Sequence, residues 1–357
     1  MTDDIKTERR GDILLRREGA WGLVTLSREK ALNSLTAEMC EALDVALTGW
    51  AADDEIRAVL IEGAGERAFC AGGDIRWLAS AAKDDPARAA SFFRREYRMN
   101  TRIQNFRKPY VALMDGITMG GGVGISAGAS HRVVTDATMW AMPECGIGLI
   151  PDVGASHHLK AVGPAAALYL GLTGARLRAD DLLALGLADA KTEDASALRE
   201  RLLGLDLNGD AHAAITDALP TAPRPDSPVL SDAAPFEAAG SLAEVLDRLE
   251  ASARPTDALS AGAIRQGSPT SLKLTWRLLT EAPETFEACI AREFRVAAHL
   301  MEGPDFLEGV RAQVLDKDRN PRWSPDDLGA VTDAMLDRYF EAPEGGDLDL
   351  GGVAVAD

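Results

Sequence analysis

The sequence predicts an α/β protein with a layered core and parallel strand pairing. Three observations carry that prediction. Short apolar runs such as "RAVLIEGAG" (57–65) and "PYVALMDG" (109–116) read as buried strands. Stretches of helical spacing separate them, which favours crossover connections between parallel neighbours. Four glycines, Gly120, Gly121, Gly122 and Gly124, crowd the point where the second run gives way to a helix.

The elements follow in order. Residues 12–27, "DILLRREGAWGLVTLS", alternate in polarity around a Gly19 turn signal and read as a β-hairpin. Residues 36–50 have a helical period, with Thr36 as the N-cap. The strand at 57–65 ends in glycines, and helices are expected around 83–106. A strand over 109–116, a helix in "GGVGISAGAS", and strands in "HRVVTD" (131–136) and "TMWAM" (138–142) come next. Beyond residue 157 the chain turns rich in alanine and leucine at helical spacing. "PTAPRPDSPVLSDAAP" (220–235) reads as a loop or linker, on its prolines. Ser268 then Pro269 is a helix-start signature, and helices are expected from there to about 340. We divide the chain into a core over 12–200, a variable helical and linker segment over 201–262, a helical region over 263–342 and a frayed tail over 343–357. No internal repeat of fixed period is visible.

Composition bounds the function. Of 357 residues, 46% are apolar, enough for a sizeable core. A net charge of -18 disfavours nucleic acid as a partner, because that needs a basic face. Cys40, Cys70, Cys145 and Cys289 lie far apart, with no zinc or disulfide spacing, and read as reduced thiols. The N-terminal residues lack an apolar signal core, and no run approaches the ~18 apolar residues a membrane span needs. We expect a cytoplasmic protein with no membrane partner.

The glycines carry the chemistry. "ERAFCAGGDIRWL" (66–78) places a second glycine turn between a strand and a helix. A glycine admits close approach of a ligand, because no Cβ intervenes, and leaves its N–H free to point at an acceptor. If Gly73 and Gly121 each aim an N–H at one carbonyl oxygen, they form an oxyanion hole, each donor contributing about 3–4 kcal/mol in the transition state. The plainer reading is that such glycines only shape tight turns. A phosphate loop fits less well, for no Lys-Ser/Thr pair follows Gly122 and no later ribose acid completes a dinucleotide fingerprint. "MPECGIGLIPDVGASHHL" (142–159) adds Glu144 and Asp152. Apolar company favours a raised pKa for Glu144 and acid–base use, although a glutamate after proline is more often a cap or surface acid. His157 and His158 are adjacent and face different ways on a helix, so no metal site is expected.

These motifs, "AFCAGGDI", "DGITMGGGVGIS" and "MPExxIGLIPDVG", resemble the crotonase (enoyl-CoA hydratase/isomerase) superfamily. Within it the nearest likeness is the branch that hydrolyses 3-hydroxyisobutyryl-CoA in valine breakdown. That likeness continues through "FFRREYRMN" (92–100), "SPTSLKLTWRLL" (268–279) and "EFRVAAHLMEGPDFLEGVRAQVLDKDRNPRW" (293–323). The resemblance implies a ClpP/crotonase-like spiral of ββα turns with a helical C-terminal region. It implies an acyl-CoA partner whose carbonyl lies between Gly73 and Gly121, with coenzyme A as part of the substrate and no separate cofactor. Glu144 and Asp152 fall at catalytic positions, and Glu96, Ala31, Ala71 and Asp74 at substrate-binding positions. A homotrimer or hexamer is also implied. One departure separates the branches. Hydratases of the superfamily place a glutamate where this chain has Gly124, and many have glycine where it has Asp152. Gly124 should leave that place empty. The competing readings are an enoyl-CoA hydratase or isomerase on the same fold, and a silent acyl-CoA binder.

Overall fold

The chain is described by a computed structural model over residues 7–221 and 224–353. The expected hairpin is there. Strand β2 (Ile13–Glu18) pairs antiparallel with β3 (Trp21–Leu26), and β1 (Thr7–Arg10) adds an edge strand that the sequence reading passed over. Helix α1 (Ala37–Ala52) follows, and the Thr36 hydroxyl accepts from the Met39 amide at 3.3 Å as its cap.

Three turns of one motif come next. The first runs β4 (Ala58–Gly63), β5 (Ala68–Cys70), then α2 (Ile75–Asp84) and α3 (Pro86–Gln104). The second runs β6 (Tyr110–Met114), β7 (Ile117–Met119), α4 (Gly121–Ala127). The third runs β8 (His131–Val134), β9 (Met139–Ala141), a 3-10 turn over Glu144–Ile147 and α5 (Ala155–His158). The first strand of each turn joins a seven-stranded sheet ordered β1-β2-β3-β4-β6-β8-β10, where β10 is Ala190–Lys191. The second strand joins a three-stranded sheet ordered β5-β7-β9. All pairings from β3 onward are parallel. This is the ββα spiral. The repeat escaped the sequence because its turns carry helices of 19, 7 and 4 residues, so no fixed period exists.

The large sheet is covered on both faces, which is why its parallel strands read as unbroken apolar runs. Val59 and Ile61 of β4 face the main core with α1 and α3. Leu60 between them faces a second cluster under the helices Ala195–Leu203 and Ala211–Ala218. The proline-rich stretch contains a short helix, Val229–Asp232, and leads into a buried Phe236; residues 222 and 223 lie outside the described residues. The Pro269–Thr280 helix begins as expected, with the Ser268 hydroxyl accepting from the Ser271 amide.

The tail differs from its reading. Residues 343–353 pack along α3 and the helix Phe286–Leu300; the last four residues lie outside the described ones. Arg94 and Arg98, one turn apart on α3, donate to the carbonyls of Gly346 at 2.9 Å and Asp349 at 2.5 Å. Arg295 pairs with Asp347, and Leu348 and Val353 are buried. The order comes from arginines 250 residues away, which no local pattern of "EGGDLDLGGV" reveals. Truncation after Ala342 should therefore lower stability by about 3 kcal/mol, the scale of withdrawing two aliphatic side chains from a core. Urea denaturation measures this, and an unchanged midpoint would show an idle tail.

Candidate active site

Stacking the three turns sets the C-terminal ends of β5, β7 and β9 side by side. Each end carries one part of the site: Ala71–Gly73 after β5, Gly120–Gly121 after β7 and Glu144 after β9. The first two approach so closely that a Cβ on Gly72, whose φ is +108°, would lie 3.3 Å from the Met119 carbonyl and 3.6 Å from the Gly121 nitrogen. The segment 28–35 secures the first loop. Ala71 N donates to Leu32 O at 3.0 Å, Leu35 N to Gly72 O at 2.8 Å and Asp74 N to Leu35 O at 2.9 Å. This ladder passes over the Gly73 amide. Gly121 opens α4, so its amide has no carbonyl one turn back within the helix. Both glycines line one cavity of about 380 Å³.

Three carboxyl groups face the same cavity: Glu96 from α3, Glu144 from the 3-10 turn and Asp152 from the loop before α5. They are 2%, 5% and 4% exposed, and no cation pairs with them among the described residues. Glu96 Oε1 and Glu144 Oε2 lack hydrogen-bond partners. Asp152 Oδ2 accepts from the Tyr97 hydroxyl at 2.5 Å. Burial, reinforced by the Asp152 charge, pushes Glu96 and Glu144 well above the usual carboxylate range. Burial also lifts Asp152, to about 7, while the Tyr97 hydrogen bond holds it down. Asp152 thus ionises near neutrality. The glycines and acids are mutually fitted, since a Cβ on Gly121 would strike the Glu96 carboxylate and one on Gly120 would stand 3.1 Å from Glu144 Oε1.

The structure brings together Gly73, Gly121, Glu96, Glu144, Asp152 and Ala71. It leaves Ala31 and Asp74 off the cavity wall. Ala31 ends a 3-10 turn, Glu29–Ala31. The Asp74 carboxylate is engaged elsewhere: it caps α2 by accepting from Trp77 N at 3.1 Å and pairs with Arg28 at 2.6 Å. Gly124 does not face an empty place. A Cβ there would lie 2.7 Å from Val153 Cβ and 2.8 Å from Asn100 Nδ2, so neighbouring side chains fill the space. His157 meets Phe286 edge-on and His158 at a tilt, and burial drives His158 down to about 3, leaving it neutral. No cluster of three or more metal-ligating side chains occurs among the described residues.

Sequence reasoning missed Tyr97 and Glu293. Tyr97 sits on the apolar face of α3, where an aromatic reads as core. Glu293 is wholly buried in the helix Phe286–Leu300 and holds the loop after Asp152. The signal available for Glu293 was one acid on the buried side of "CIAREFRVAAHL".

With this fold and site, the chain belongs to the enoyl-CoA hydratase/isomerase family, whose model matches residues 21–340. It is 38% identical over 354 residues to the mitochondrial 3-hydroxyisobutyryl-CoA hydrolase of Danio rerio, covering 95% of this chain and 92% of that protein. The Homo sapiens protein of that name is 37% identical over 353 residues, covering 96% and 92%. Among solved structures, a carnitinyl-CoA dehydratase from Mycobacterium thermoresistibile superposes with a TM-score of 0.88 at 37% identity, covering 96% of this chain and 99% of the other. An enoyl-CoA hydratase from Rhodobacter sphaeroides superposes with a TM-score of 0.85 at 39% identity, covering 95% and 100%. The first two relatives are named as mitochondrial and lend no support to the cytoplasmic placement expected above. No helix among the described residues is long and apolar enough to cross a membrane.

The raised Asp152 pKa has a consequence for stability. Between its ordinary 3.8 and about 7, the folded chain keeps a proton that the unfolded chain has released. The group favours folding below that window, and the advantage is lost as pH rises through it. Asp152→Asn keeps an acceptor for Tyr97 and carries no charge. It should be more stable than wild type at about pH 8 and show no such gain at about pH 4. Chemical denaturation at both values checks this; an equal effect at the two would contradict it.

Proposed function

We propose that the chain hydrolyses an acyl-CoA thioester, with 3-hydroxyisobutyryl-CoA as the substrate and 3-hydroxyisobutyrate and coenzyme A as products. The observation that carries this reading is the pair Gly124 and Asp152. A hydratase needs a second carboxylate at the Gly124 position, and here Val153 and Asn100 occupy that space. The additional acid stands at Asp152, in one cavity with Glu144. The hydrolase names of the relatives at 37% and 38% identity support the same choice. A hydratase reading draws on the titles of the two similar solved structures, and the filled space at Gly124 opposes it.

In this reading the thioester oxygen accepts from the Gly73 and Gly121 amides, which stabilise the charge that develops as the carbonyl carbon turns tetrahedral. Glu144 delivers oxygen to that carbon, either by attacking it or by activating a water. One carbon–oxygen bond forms, the carbon–sulfur bond breaks, and one water is consumed in all. The departing thiolate needs a proton. Burial and repulsion between neighbouring carboxylates favour a proton on Glu96 and Asp152, so the site carries its own donor, and Glu144 reacts in its ionised form. Asp152 exchanges protons most readily and assists that transfer, while Glu96 binds the hydroxyl end of the acyl group. Ala71 lies along the coenzyme; Ala31 and Asp74 border the path it takes outward.

The chemistry calls on no prosthetic group. Assembly as a trimer or hexamer stays part of the reading through the family likeness. A reducing compartment such as the cytoplasm suits the four buried free cysteines.

Purified protein given 3-hydroxyisobutyryl-CoA and a thiol reagent should release free coenzyme A. Glu144→Ala should lower kcat by roughly a thousandfold, and crotonyl-CoA should keep its conjugated absorbance. No release by wild type, or undiminished release by Glu144→Ala, would remove the assignment.

A further inference from the structure

The helix Phe286–Leu300 lies beyond the spiral, yet it reaches the loop that carries Asp152. Its Glu293 is 0% exposed. Glu293 Oε2 accepts from Gly154 N at 2.6 Å, and Oε1 accepts from Ser156 N at 2.9 Å and from Ser156 Oγ at 2.6 Å. Both carboxyl oxygens accept from backbone N–H groups and the third partner is a hydroxyl able to donate, an arrangement that suits an ionised carboxylate. These bonds oppose the burial that lifts the Glu293 carboxyl to about 7.

The clamped loop is strained. Val153 has φ +55° and Gly154 φ +88°. A β-branched residue in the left-handed region persists only where its surroundings enforce it. Asp152 is the residue immediately before this turn, and its direction depends on the turn holding. The same helix braces the other side of Asp152. Phe294, next to Glu293, meets Tyr97 edge-on with ring centroids 6.3 Å apart, and Tyr97 donates to Asp152 Oδ2.

We propose that Glu293 is a positioning residue for the reaction: it locks the 152–156 turn so that Asp152 faces the cavity, while Phe294 and Tyr97 fix the orientation of the Asp152 carboxyl. This rests on the role given to Asp152 above. It also gives the C-terminal helix a part in the chemistry, since the spiral alone supplies no partner for the Gly154 and Ser156 amides. A merely structural Glu293 would lower stability without acting through Asp152, and a mutant cycle separates the two.

The experiment compares kcat and KM for coenzyme A release by wild type, Glu293→Gln, Ser156→Ala, Asp152→Asn and the two doubles with Asp152→Asn. Glu293→Gln should lower kcat by about thirtyfold with KM changed less than about twofold, the scale of a slightly misplaced catalytic group. In the Asp152→Asn background the same change should lower kcat by less than about twofold, because the route through Asp152 is already gone. Ser156→Ala removes one of the three bonds. It should give a several-fold loss that also vanishes in the Asp152→Asn background, and it serves if Glu293→Gln does not fold. Full multiplicative losses in the double variants, or a wild-type kcat in Glu293→Gln, overturn the proposal. A wild-type kcat in Asp152→Asn alone overturns the role of Asp152 and this proposal with it, whereas absent release by wild type refutes the thioester reading itself.

Discussion

Two backbone amides can converge on one oxygen only if no side chain stands between the loops that carry them. The rest of this structure depends on that close approach. The spiral achieves it by stacking successive ββα turns, so that the ends of three short parallel strands come to lie beside one another. Gly72 lies against the end of β7, where a Cβ would press on the Met119 carbonyl at 3.3 Å. Gly121 is further constrained from behind, because the Glu96 carboxylate occupies the place its side chain would need. The glycines therefore leave the cavity open in front and admit a buried acid at the back.

Electrostatics works against the fold here. Three carboxyl groups share one apolar-walled cavity with no cation paired to them among the described residues, and each is pushed toward its neutral form. An unpaired buried charge destabilises a protein, so such a cluster persists where its chemistry is needed. The surrounding shell compensates. Tyr97 donates to Asp152, and the Asp152 loop is tied to Glu293 on a helix remote in sequence. The tail adds a further layer by binding Arg94 and Arg98 on the helix that carries Glu96 and Tyr97.

Much of this was legible in the chain. The strands around 58–63 and 110–114 showed as apolar runs because both faces of their sheet are covered. The caps at Thr36 and Ser268 were readable because capping is local chemistry. Glu144 and Asp152 stood out by their motif, and Gly124 by the acid it lacks. What stayed hidden was set by contacts distant in sequence. The short strand Ile117–Met119 was not read as an element, since three residues carry no period. The tail looked frayed because its partners are arginines on α3. Asp74 stood out as a ligand contact, and nothing local showed that it also pairs with Arg28 and caps α2. The space at Gly124 was read as empty, and only the packing shows that Val153, held in a left-handed conformation, has filled it.

The most direct measurement of the central claim is the infrared stretch of an isotopically labelled thioester carbonyl bound to the inactive Glu144→Ala protein. Two converging amides in a dry cavity polarise that bond more than water does. The account predicts a band below its frequency in water. A band at or above the aqueous frequency would contradict it, for the oxygen would then lie outside the reach of Gly73 and Gly121.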